Sequence, residues 1–418
     1  MDVPAAKRLK VDELPSSSHK RDEGAASQMF YFSLERLEDF NQPFPSYRQP
    51  VEIGHFSVNS DRKMLRSKSQ LKFYSAPKKL NLPLSAGFDS YVGKKDSRAE
   101  GVKLLLEWIT HNSQCFRPQT ATTPNNGKGA TNHLPAQQHK SERPDNILTD
   151  FITWRGLLTK IMITPFNRNE AWAFVATKYN GTIYLKQLQT EQERLRYLNE
   201  TQRDKLMTYW GHKFEDYMTT STAPATIRDS SSGSGDPVNP NLEFVTVART
   251  RINTHSIVMG AEVDCCDHGS KEQSPRNYIE LKTSRFIFTD RNKYSFKKFK
   301  LLKWWAQSFL VGVPKIVCGF RDDDGNVTSL EHFKTIEIPR EVDMQQGLWD
   351  PAICLNFFDK FLTWLKTSVV LQDNSRVIYL IQFTPPLNQI TAEKLTDITD
   401  EHTILPDWYL NKETPPDC

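Results

Sequence analysis

The sequence predicts an α+β fold in which mixed, largely antiparallel β-sheets are flanked by helices. Short segments rich in β-branched and aromatic residues outnumber long amphipathic segments, and most follow one another as hairpins. No stretch in the middle of the chain has the composition of a linker between domains. With 418 residues and a hydrophobic fraction of 38%, the chain can bury a large core. We therefore expect a single domain over residues 29–390.

The two ends of the chain differ from this domain. Residues 1–28 are polar, charged and rich in Ser, which predicts a disordered tail, and residues 391–418 are expected to form a C-terminal tail. The basic cluster Pro4–Asp12 resembles a nuclear-localisation signal, although an engineered tag has the same appearance. As a signal, it predicts a location in the nucleus, with the cytoplasm as a second location.

Two stretches inside the domain have the composition of flexible loops. Residues near 112–146 are rich in Pro, Gln, Thr, Asn and Gly, and residues near 221–240 contain a run of Ser and Gly. We expect both to be mobile insertions that leave the domain continuous.

The first half of the domain is predicted to contain several strands, a helix and a hairpin. Apolar residues at helical spacing predict a helix over Gly101–His111, and Asp150–Phe166 is expected to begin a β-rich region. The alternating segments Trp172–Thr177 and Gly181–Leu188 flank Asn180-Gly181, a pair that favours a tight hairpin turn. Ordered structure is expected to begin near residues 29–32, and further strands are predicted around residues 55–58 and 71–74.

One long helix is predicted over Glu191–Thr219, with an apolar stripe that includes Trp210 and Phe214. Gly211 lies one turn before Glu215 on a line beside this stripe, so a backbone or a ligand can approach the carboxylate closely. Glu215 is therefore a candidate acid of a functional site, although a solvated surface glutamate gives the same pattern.

The second half of the domain continues with alternating strands and helices. Trp304 and Trp305 share a segment with other apolar residues, so we expect them in the core. The chain after Thr384 is rich in Pro and Asp and is expected to hold little core. The predicted elements are a strand over 244–251, a helix over 295–310, a hairpin of strands 316–321 and 327 onward, a helix over 351–367 and a strand over 377–383.

Two predicted strands place acids and a lysine on shared faces, one ending with Glu262 and Asp264 and the next containing Glu280 and Lys282. Side chains two positions apart in a strand point the same way, so each pair shares a face. Buried acids would repel one another unless a cation lay between them. Carboxylate oxygens are preferred ligands of Mg²⁺ and Mn²⁺, and two such ions assist displacement at phosphorus. The alternative is a ladder of surface salt bridges.

Composition narrows the function classes. The net charge of +4 is too small to indicate nucleic-acid binding by itself, so a polyanion would bind at a local patch. The six cysteines show no CxxC pair, which argues against structural zinc and a disulfide framework. No run approaches 18 apolar residues, and no Walker, Rossmann or Ser-His-Asp pattern is present.

Two further residues suit a phosphate-rich substrate. Arg155 follows Trp154, and its planar guanidinium could bind two phosphate oxygens, although a structural ion pair is equally consistent. Gln307 is an uncharged hydrogen-bonding residue on a helix line that also carries Lys300 and Lys303.

Five short motifs together resemble the decapping exoribonuclease (DXO) family and its fungal relatives. They occur in the family's order, and the resemblance covers roughly Phe30 to Phe383. The motifs are Trp154-Arg155-Gly156, Gly211-His212-Lys213-Phe214-Glu215, Gly260-Ala261-Glu262-Val263-Asp264, Glu280-Leu281-Lys282-Thr283 and Lys303-Trp304-Trp305-Ala306-Gln307-Ser308-Phe309.

The resemblance implies a fold and a set of site residues. It implies two packed sheets related to the core of Asp–Glu-x-Lys exonucleases. Lys282 and Gln307 match residues near the scissile phosphate, and Arg155 matches a substrate-contacting arginine. Glu262, Asp264, Glu280 and Lys282 would be catalytic. The positions that match ligands of two divalent cations, Mg²⁺ or Mn²⁺, are Glu215, Glu262, Asp264, Glu280 and the carbonyl of Leu281.

The resemblance also implies an activity. Family members remove incomplete or non-standard caps from RNA 5′ ends, including NAD caps, and remove pyrophosphate from triphosphate ends. Several members then degrade 5′-monophosphate RNA in the 5′-3′ direction. The expected partners are RNA 5′ ends and a nuclear 5′-3′ exonuclease, with no membrane and no DNA. Two alternatives stay open: a non-catalytic partner that stabilises the exonuclease, and a DNA exonuclease of the same metal class.

Overall fold

The fold is that of a computed structural model, which describes part of the chain. The cluster Pro4–Asp12 and most of the two predicted insertions lie outside them. The described residues are 28–95, 101–116, 147–222, 237–342 and 347–415.

The described residues contain strands that hydrogen bonding arranges in two sheets. The strands are β1 (Met29–Ser33), β2 (Tyr47–Val58), β3 (Met64–Leu65), β4 (Phe73–Tyr74), β5 (Leu82–Pro83), β6 (Phe151–Trp154), β7 (Trp172–Tyr179), β8 (Thr182–Leu188), β9 (Thr219–Thr220), β10 (Glu243–Ile252), β11 (His255–Glu262), β12 (Cys265–Cys266), β13 (Tyr278–Arg285), β14 (Lys315–Arg321), β15 (Asn326–Lys334), β16 (Tyr379–Phe383) and β17 (Gln389–Lys394).

The larger sheet has the strand order β1-β17-β16-β7-β8-β6-β11-β10-β2-β3, and the smaller has the order β5-β15-β14-β13-β12-β4-β9. Parallel pairs occur in both sheets, for example β6 with β11 and β13 with β14, but most pairs are antiparallel. The predicted class of two mixed, largely antiparallel sheets is confirmed.

The helices flank and separate the sheets. Helices α2, α6 and α8 share the largest hydrophobic core with residues of both sheets, whereas α1 and α4 pack in separate cores. Trp304 and Trp305 are buried in the largest core, which confirms their predicted role. The helices are α1 (Lys103–His111), α2 (Arg155–Ile163), α3 (Glu191–Leu198), α4 (Gln202–Met218), α5 (Asp290–Ser295), α6 (Leu302–Val311), α7 (Ile338–Glu341), α8 (Pro351–Trp364) and α9 (Asp407–Leu410).

The predicted hairpin is confirmed and joins β7 to β8. Asn180 and Gly181 form its turn with φ values of 50° and 81°. Left-handed backbone of this kind suits Asn and Gly, which is why this pair gives such a strong hairpin signal.

The prediction of one long helix over Glu191–Thr219 is wrong, because the segment forms two helices, α3 and α4. Thr190 and Thr201 are each the N-cap of a helix and form a capping box. In each box, the threonine hydroxyl accepts a hydrogen bond from the backbone N–H of the third helical residue, and the side chain of that residue accepts one from the threonine N–H. The second capping box, at Thr201, begins a new helix within the segment whose amphipathic pattern predicted a single helix.

The region Asp150–Phe166, predicted to begin a β-rich region, is a strand followed by helix α2. Leu157, Leu158, Ile161 and Met162 are all buried, at the spacing of one helix face. A short apolar run does not by itself distinguish a buried strand from a buried helix.

The expectation that the chain after Thr384 holds little core is wrong. Strand β17 lies between β1 and β16 in the larger sheet, with Ile390 fully buried, and Tyr409 is buried against Tyr184. The sheet therefore continues past residue 390, where the C-terminal tail was expected to begin, because β17 supplies the pairing that β1 and β16 need.

Two other helical predictions need shorter corrections. The helix predicted over 295–310 is α5 followed by the π-helical turn Phe296–Leu301 and then α6, and the helix predicted over 351–367 ends in a second π-helical turn, Leu365–Val369. Among the described residues, no helix combines the length and hydrophobicity needed to cross a bilayer.

The chain crosses from one sheet to the other between Glu262 and Cys265. Strand β11 ends at Glu262 in the larger sheet, and β12 begins at Cys265 in the smaller sheet, where it pairs with β13. The predicted strand through Asp264 thus ends two residues early, and the two acid-bearing strands belong to different sheets. Asp264 lies in the crossover itself.

Candidate active site

The predicted acids come from three elements that meet where the chain changes sheet. Glu262 ends β11, Asp264 follows in the crossover, and Glu280 lies in β13, with Lys282 two residues further along. Glu215 comes from α4, which packs on the smaller sheet. The fold therefore draws together residues separated by up to 67 positions in the sequence (215 to 282).

Asp264 is fixed by the backbone of β13. Its Oδ2 accepts a hydrogen bond from the N–H of Leu281 at 2.6 Å. Because the N–H and C=O of a strand residue point toward the same neighbour, the Leu281 carbonyl faces the same side as Asp264. Burial, and next the charge of Glu280, raise the pKa of Asp264 well above its ordinary value. The carboxylate is therefore held in a place where its charge is poorly compensated.

Glu280 is the buried anion of the site and has two cationic neighbours. Its side chain is 4% exposed, with Lys282 Nζ 2.6 Å from Oε1 and Arg155 Nη1 3.8 Å from Oε2. Burial alone would raise the pKa of Glu280, but the charges of Lys282 and Arg155 outweigh it and lower the pKa. Burial alone would lower the pKa of Lys282, but the negative charges of Glu280 and Asp264 outweigh it, so the pKa of Lys282 is raised. Glu280 and Lys282 therefore each favour the charged form of the other.

Glu215 has its own cationic neighbours. His212 Nδ1 lies 3.7 Å from Glu215 Oε2, one turn earlier on α4. Burial favours the neutral acid, but the nearby His212, with the charges of Lys72 and Lys282, lowers the pKa of Glu215.

Glu262 lies between two acids and one lysine. Lys94 Nζ is 3.7 Å from its Oε2, and 45% of the side chain reaches solvent through the surrounding cavities. Desolvation by the cavity walls, together with the charges of Glu243 and Glu215, raises the pKa of Glu262 against the opposing effect of Lys94. A cation bound beside Glu262, in addition to the Lys94 ammonium, is the simplest way to relieve this excess of negative charge.

The donor set suits a divalent cation, although each acid is now turned toward a protein group. Within the described part of the chain, no three His, Cys, Asp or Glu side chains stand close enough together to hold a metal ion as they are oriented. Glu280 faces Lys282, Glu262 faces Lys94 and Asp264 faces a backbone N–H. The donors are all hard oxygens, and burial together with the charges of other acids raises the pKa of Asp264 and of Glu262, an effect that a bound cation would oppose.

The structure joins Arg155 to the acids but leaves Gln307 apart. Arg155 is the first residue of α2, and its guanidinium pairs with Glu280. Of the two predicted roles of Arg155, the structure therefore contains the ion pair, and its partner is one of the candidate catalytic acids. Gln307 is half-buried on α6, and no hydrogen bond links it to the carboxylates among the described residues. Lys300 lies in the π-helical turn before α6, and its Nζ donates to the Ser284 hydroxyl near the end of β13 at 3.0 Å.

Two cavities meet at Glu262. One has a volume of about 440 Å³ and is lined by residues that include Arg62, Lys94, Trp154 and Gly156. The other has a volume of about 310 Å³ and is lined by residues that include Glu215. Glu262 borders both cavities, so a bound chain has room on either side of it.

Gly260 has no side chain because Trp154 occupies that space. The two residues are paired in the parallel β6–β11 ladder, and a Cβ on Gly260 would lie 2.7 Å from the Trp154 ring. The indole Nε1 donates to the carbonyl of Gly101 at 2.8 Å, which holds the ring in the cavity wall. Gly260 therefore shapes the cavity next to Glu262.

Gly260→Ala is expected to lower the free energy of unfolding by about 1–3 kcal/mol, because the indole cannot withdraw without breaking its bond to Gly101. Chemical denaturation measures this change. Gly156→Ala is the matched control, because a Cβ there meets no atom within 4 Å, and its stability should stay close to wild type. Equal stability of the two variants would contradict this account of Gly260.

Sequence reasoning missed several charged residues of the site. Lys94 and Arg62 lie in irregular segments without a periodic signal, and Glu243 is the first residue of β10, just outside the strand predicted over 244–251. His212 lies three residues before Glu215, which places both on one helix face. The spacing of His212 and Glu215 was the one signal that could have identified such a pair.

Comparison with known proteins adds an independent line of evidence. The family described as "RAI1 like PD-(D/E)XK nuclease" matches residues 48–410. A relative from Xenopus laevis, named "Decapping and exoribonuclease protein", is 37% identical over 388 residues, which cover 91% of this chain and 90% of the relative.

Two solved structures share the fold. Schizosaccharomyces pombe Rai1 in complex with 3′-FADP has a TM-score of 0.67 and 25% identity, with coverage of 88% of this chain and 100% of that chain. Candida albicans Rai1 in complex with pU5 and Mn²⁺ has a TM-score of 0.74 and 23% identity, with coverage of 92% and 98%.

Proposed function

Because this chain belongs to the RAI1-like PD-(D/E)XK nuclease family and is a hydrolytic nuclease, we propose that it acts on RNA 5′ ends. In this proposal, it removes incomplete or non-standard caps, including NAD caps, and pyrophosphate from triphosphate ends. It then degrades 5′-monophosphate RNA in the 5′-3′ direction. The arrangement of acids around Glu262, with a cavity on each side, is the observation that carries the proposal.

The acids would hold two divalent cations, Mg²⁺ or Mn²⁺. The ligands in this proposal are the side chains of Glu215, Glu262, Asp264 and Glu280 and the carbonyl of Leu281. When bound, the cations would supply Lewis-acid stabilisation of charge at phosphorus and lower the pKa of an attacking water. The Rai1 relative from Candida albicans is described in complex with Mn²⁺, which fits this hard-oxygen set.

The chain's own cations would position the scissile phosphate. Lys282 and Arg155 both contact Glu280, so a phosphate bound beside Glu280 would meet an ammonium and a guanidinium at once. The raised pKa of Lys282 keeps its charge through the neutral range. Gln307 would complete this contact from α6, after a shift toward the phosphate when substrate binds.

The two cavities favour a substrate that continues on both sides of the scissile bond. A capped or phosphorylated 5′ end has a group that leaves on one side and an RNA strand on the other. Each of the two cavities at Glu262 would hold one of these two parts. A cap nucleotide, a dinucleotide such as NAD or a pyrophosphate would enter one of them, and the first nucleotides of the RNA would occupy the other.

Location and partners form part of the same proposal. The cluster Pro4–Asp12, outside the described residues, would direct the protein to the nucleus, with a second population in the cytoplasm. A nuclear 5′-3′ exonuclease would be its protein partner and would degrade the monophosphate RNA that this enzyme releases.

The decisive experiment uses purified protein with Mn²⁺ or Mg²⁺ and RNAs that differ only at the 5′ end. The ends are an unmethylated cap, NAD, triphosphate, monophosphate and hydroxyl, and mass spectrometry identifies the released product. We expect cap nucleotides, intact NAD and pyrophosphate from the first three. No turnover on any RNA end, with copurification of an exonuclease, would favour a non-catalytic partner, and faster cleavage of matched DNA would favour a DNA exonuclease.

A further inference from the structure

A basic and aromatic segment, residues 285–300, follows the strand that carries Glu280 and Lys282. This basic segment contains six lysines and arginines and one acid, Asp290, whereas the whole chain has a net charge of only +4. The excess of positive charge in the chain is therefore accounted for by this one segment. Its six cations are Arg285, Arg291, Lys293, Lys297, Lys298 and Lys300.

Three lysines of the basic segment donate hydrogen bonds to neutral oxygens rather than to carboxylates. The three bonds run from Lys297 to the Glu341 carbonyl at 2.5 Å, from Lys298 to the Tyr294 hydroxyl at 3.2 Å and from Lys300 to the Ser284 hydroxyl at 3.0 Å. By contrast, Arg285 pairs with the carboxylate of Asp323 at 2.6 Å. The contacts of the three lysines leave their positive charges uncompensated, so a polyanion would complement this surface.

Four aromatic side chains of the basic segment face solvent. Phe288 is 65% exposed, and Phe286, Tyr294 and Phe299 are also exposed. The rings of Phe286 and Phe288 have centroids 5.0 Å apart, and Lys298 Nζ lies 5.4 Å and 5.5 Å from the ring centroids of Tyr294 and Phe299. Exposed rings interleaved with lysines suit single-stranded nucleic acid, because bases stack on the rings and ammonium groups contact the phosphates.

The basic segment is the direct continuation of the acid-bearing strand β13. Side chains two positions apart share a face of a strand, so Lys282, Ser284 and Phe286 follow Glu280 along one face. The pairing with β14 extends to Phe286, whose N–H donates to the Arg321 carbonyl at 2.8 Å. The face that carries the catalytic candidates therefore leads to the first exposed aromatic ring.

An RNA strand with its 5′ end at the acids can reach this surface within a few nucleotides. A strand rises about 3.3 Å per residue, so Phe288 lies at most roughly 20 Å beyond Lys282. Stacked nucleotides rise about 3.4 Å each, so about six of them span this distance. Because the Phe288 ring is largely exposed, a base can stack on it without displacing a protein group.

We propose that the basic segment is a subsite for single-stranded RNA that binds the substrate beyond about the sixth nucleotide from its 5′ end. Phe286 and Phe288 stack bases, and Lys298 contacts a phosphate between them. This inference rests on the proposed action at RNA 5′ ends and adds that longer single strands bind more tightly than short ones.

The first test measures binding of hydrolysis-resistant phosphorothioate RNAs of about 4 and about 16 nucleotides by fluorescence anisotropy with Mn²⁺. We expect the wild type to bind the longer RNA more tightly. Phe288→Ala should raise the Kd of the longer RNA by about tenfold and change that of the shorter RNA little, because the shorter RNA does not reach Phe288. Phe288→Tyr, which keeps a ring for stacking, should retain the affinity.

Phe44→Ala is the matched control, because Phe44 is an exposed phenylalanine outside the basic segment. It should bind both RNAs like the wild type, and thermal melts verify that each variant folds. An equal loss on both RNAs in Phe288→Ala, or wild-type affinity of Phe288→Ala for the longer RNA, would overturn the inference. An equal loss in Phe44→Ala and Phe288→Ala would overturn it as well.

The salt dependence of binding tests the role of Lys298. Each phosphate contact with a single strand contributes about 0.7 to the slope of log Kd against log salt concentration. Lys298→Gln should therefore reduce the slope for the longer RNA by about 0.7. Lys334→Gln is the control, because Lys334 is an exposed lysine that pairs with Glu337 at 3.1 Å, and its slope should match wild type. An unchanged slope in Lys298→Gln would exclude the phosphate contact.

Photo-crosslinking locates the subsite without any substitution. The longer RNA carries 4-thiouridine either at the second or at about the eighth nucleotide, and mass spectrometry identifies the crosslinked peptide. We expect the later position to crosslink within residues 285–300 and the earlier position to crosslink elsewhere. Crosslinks from the later position that all fall outside residues 285–300 would overturn the inference.

These readouts separate the inference from the proposed function because none of them requires turnover. A length preference that disappears in Phe288→Ala supports the subsite even where no RNA end is hydrolysed. Hydrolysis of RNA ends by a wild type that binds both lengths equally would overturn the subsite and leave the proposed function standing. Unchanged RNA binding in Phe288→Ala, with loss of a copurifying protein, would make the surface a protein interface instead.

Discussion

Asp264→Asn is expected to lower hydrolysis of capped or triphosphorylated RNA by about a thousandfold, or roughly 4 kcal/mol of transition-state stabilisation. The carboxylate is lost, but the amide oxygen can still accept the hydrogen bond from Leu281 that now fixes Asp264. The local backbone should therefore stay in place while the affinity for a divalent cation falls. Initial rates with saturating Mn²⁺ measure the loss.

The same substitution is expected to raise the melting temperature of the metal-free protein. Burial and the charge of Glu280 raise the pKa of Asp264 above its ordinary value of 3.8, so the folded state binds this proton more tightly than the unfolded state. Ionised Asp264 thus destabilises the folded state, and this contribution grows as the pH rises from 3.8 through the raised pKa. Asn carries no charge and removes the penalty at neutral pH.

Thermal melts with and without Mn²⁺ complete the test. We expect Mn²⁺ to stabilise the wild type and to have little effect on Asp264→Asn. Asp61→Asn is the control, since Asp61 is an exposed aspartate outside the site and its loss should change neither rate nor response to Mn²⁺. Wild-type turnover in Asp264→Asn would refute the metal-binding role, and a large fall in its melting temperature would refute the electrostatic one.

Lys282→Met is expected to lower kcat by about a hundredfold or more with a smaller change in KM, because its ammonium would stabilise charge that develops at phosphorus only in the transition state. Glu280 keeps Arg155 as a partner, so the buried carboxylate is not left alone. Steady-state kinetics on triphosphorylated RNA separate the two parameters.

The pH dependence gives Lys282 a second signature. Glu280 and Asp264 raise its pKa above the ordinary 10.5, so the stability from this pairing is fully present below pH 10.5 and is lost as the pH rises through the higher, folded-state value. Activity should therefore show no loss from Lys282 between pH 6 and 9. Lys334→Met is the control, because Lys334 forms an exposed pair with Glu337 at 3.1 Å. Equal kcat in Lys282→Met and Lys334→Met would exclude a catalytic role.

The fold class and the acid-bearing segments could be predicted from sequence because their signals are local. Alternation in the β7–β8 hairpin, the left-handed pair Asn180-Gly181 and the Glu-x-Lys spacing in β13 each lie within about 20 residues. The placement of Glu280 and Lys282 on one face follows from strand geometry alone, and their 2.6 Å contact agrees with it.

The parts that could not be predicted depend on contacts between distant residues. Glu262 and Glu280 belong to different sheets, which no periodicity reveals, and Lys94 reaches the site from an irregular segment held by Asn241. Strand β17 was missed because one of its two neighbours in the sheet, β1, comes from the opposite end of the chain, and the Pro-rich composition around β17 hides its local pairing with β16. Pairing with these partners, rather than its composition, makes this segment a strand.

The crossover between the two sheets also determines when nuclease activity can appear during synthesis. Glu262 is anchored in the larger sheet and Glu280 in the smaller one, whose strand β13 pairs with β14 at residues 315–321. A nascent chain that ends before β14 therefore cannot hold both acids in register. Long-range pairing of this kind forms late in folding, so an incomplete chain leaving the ribosome has no assembled acid cluster.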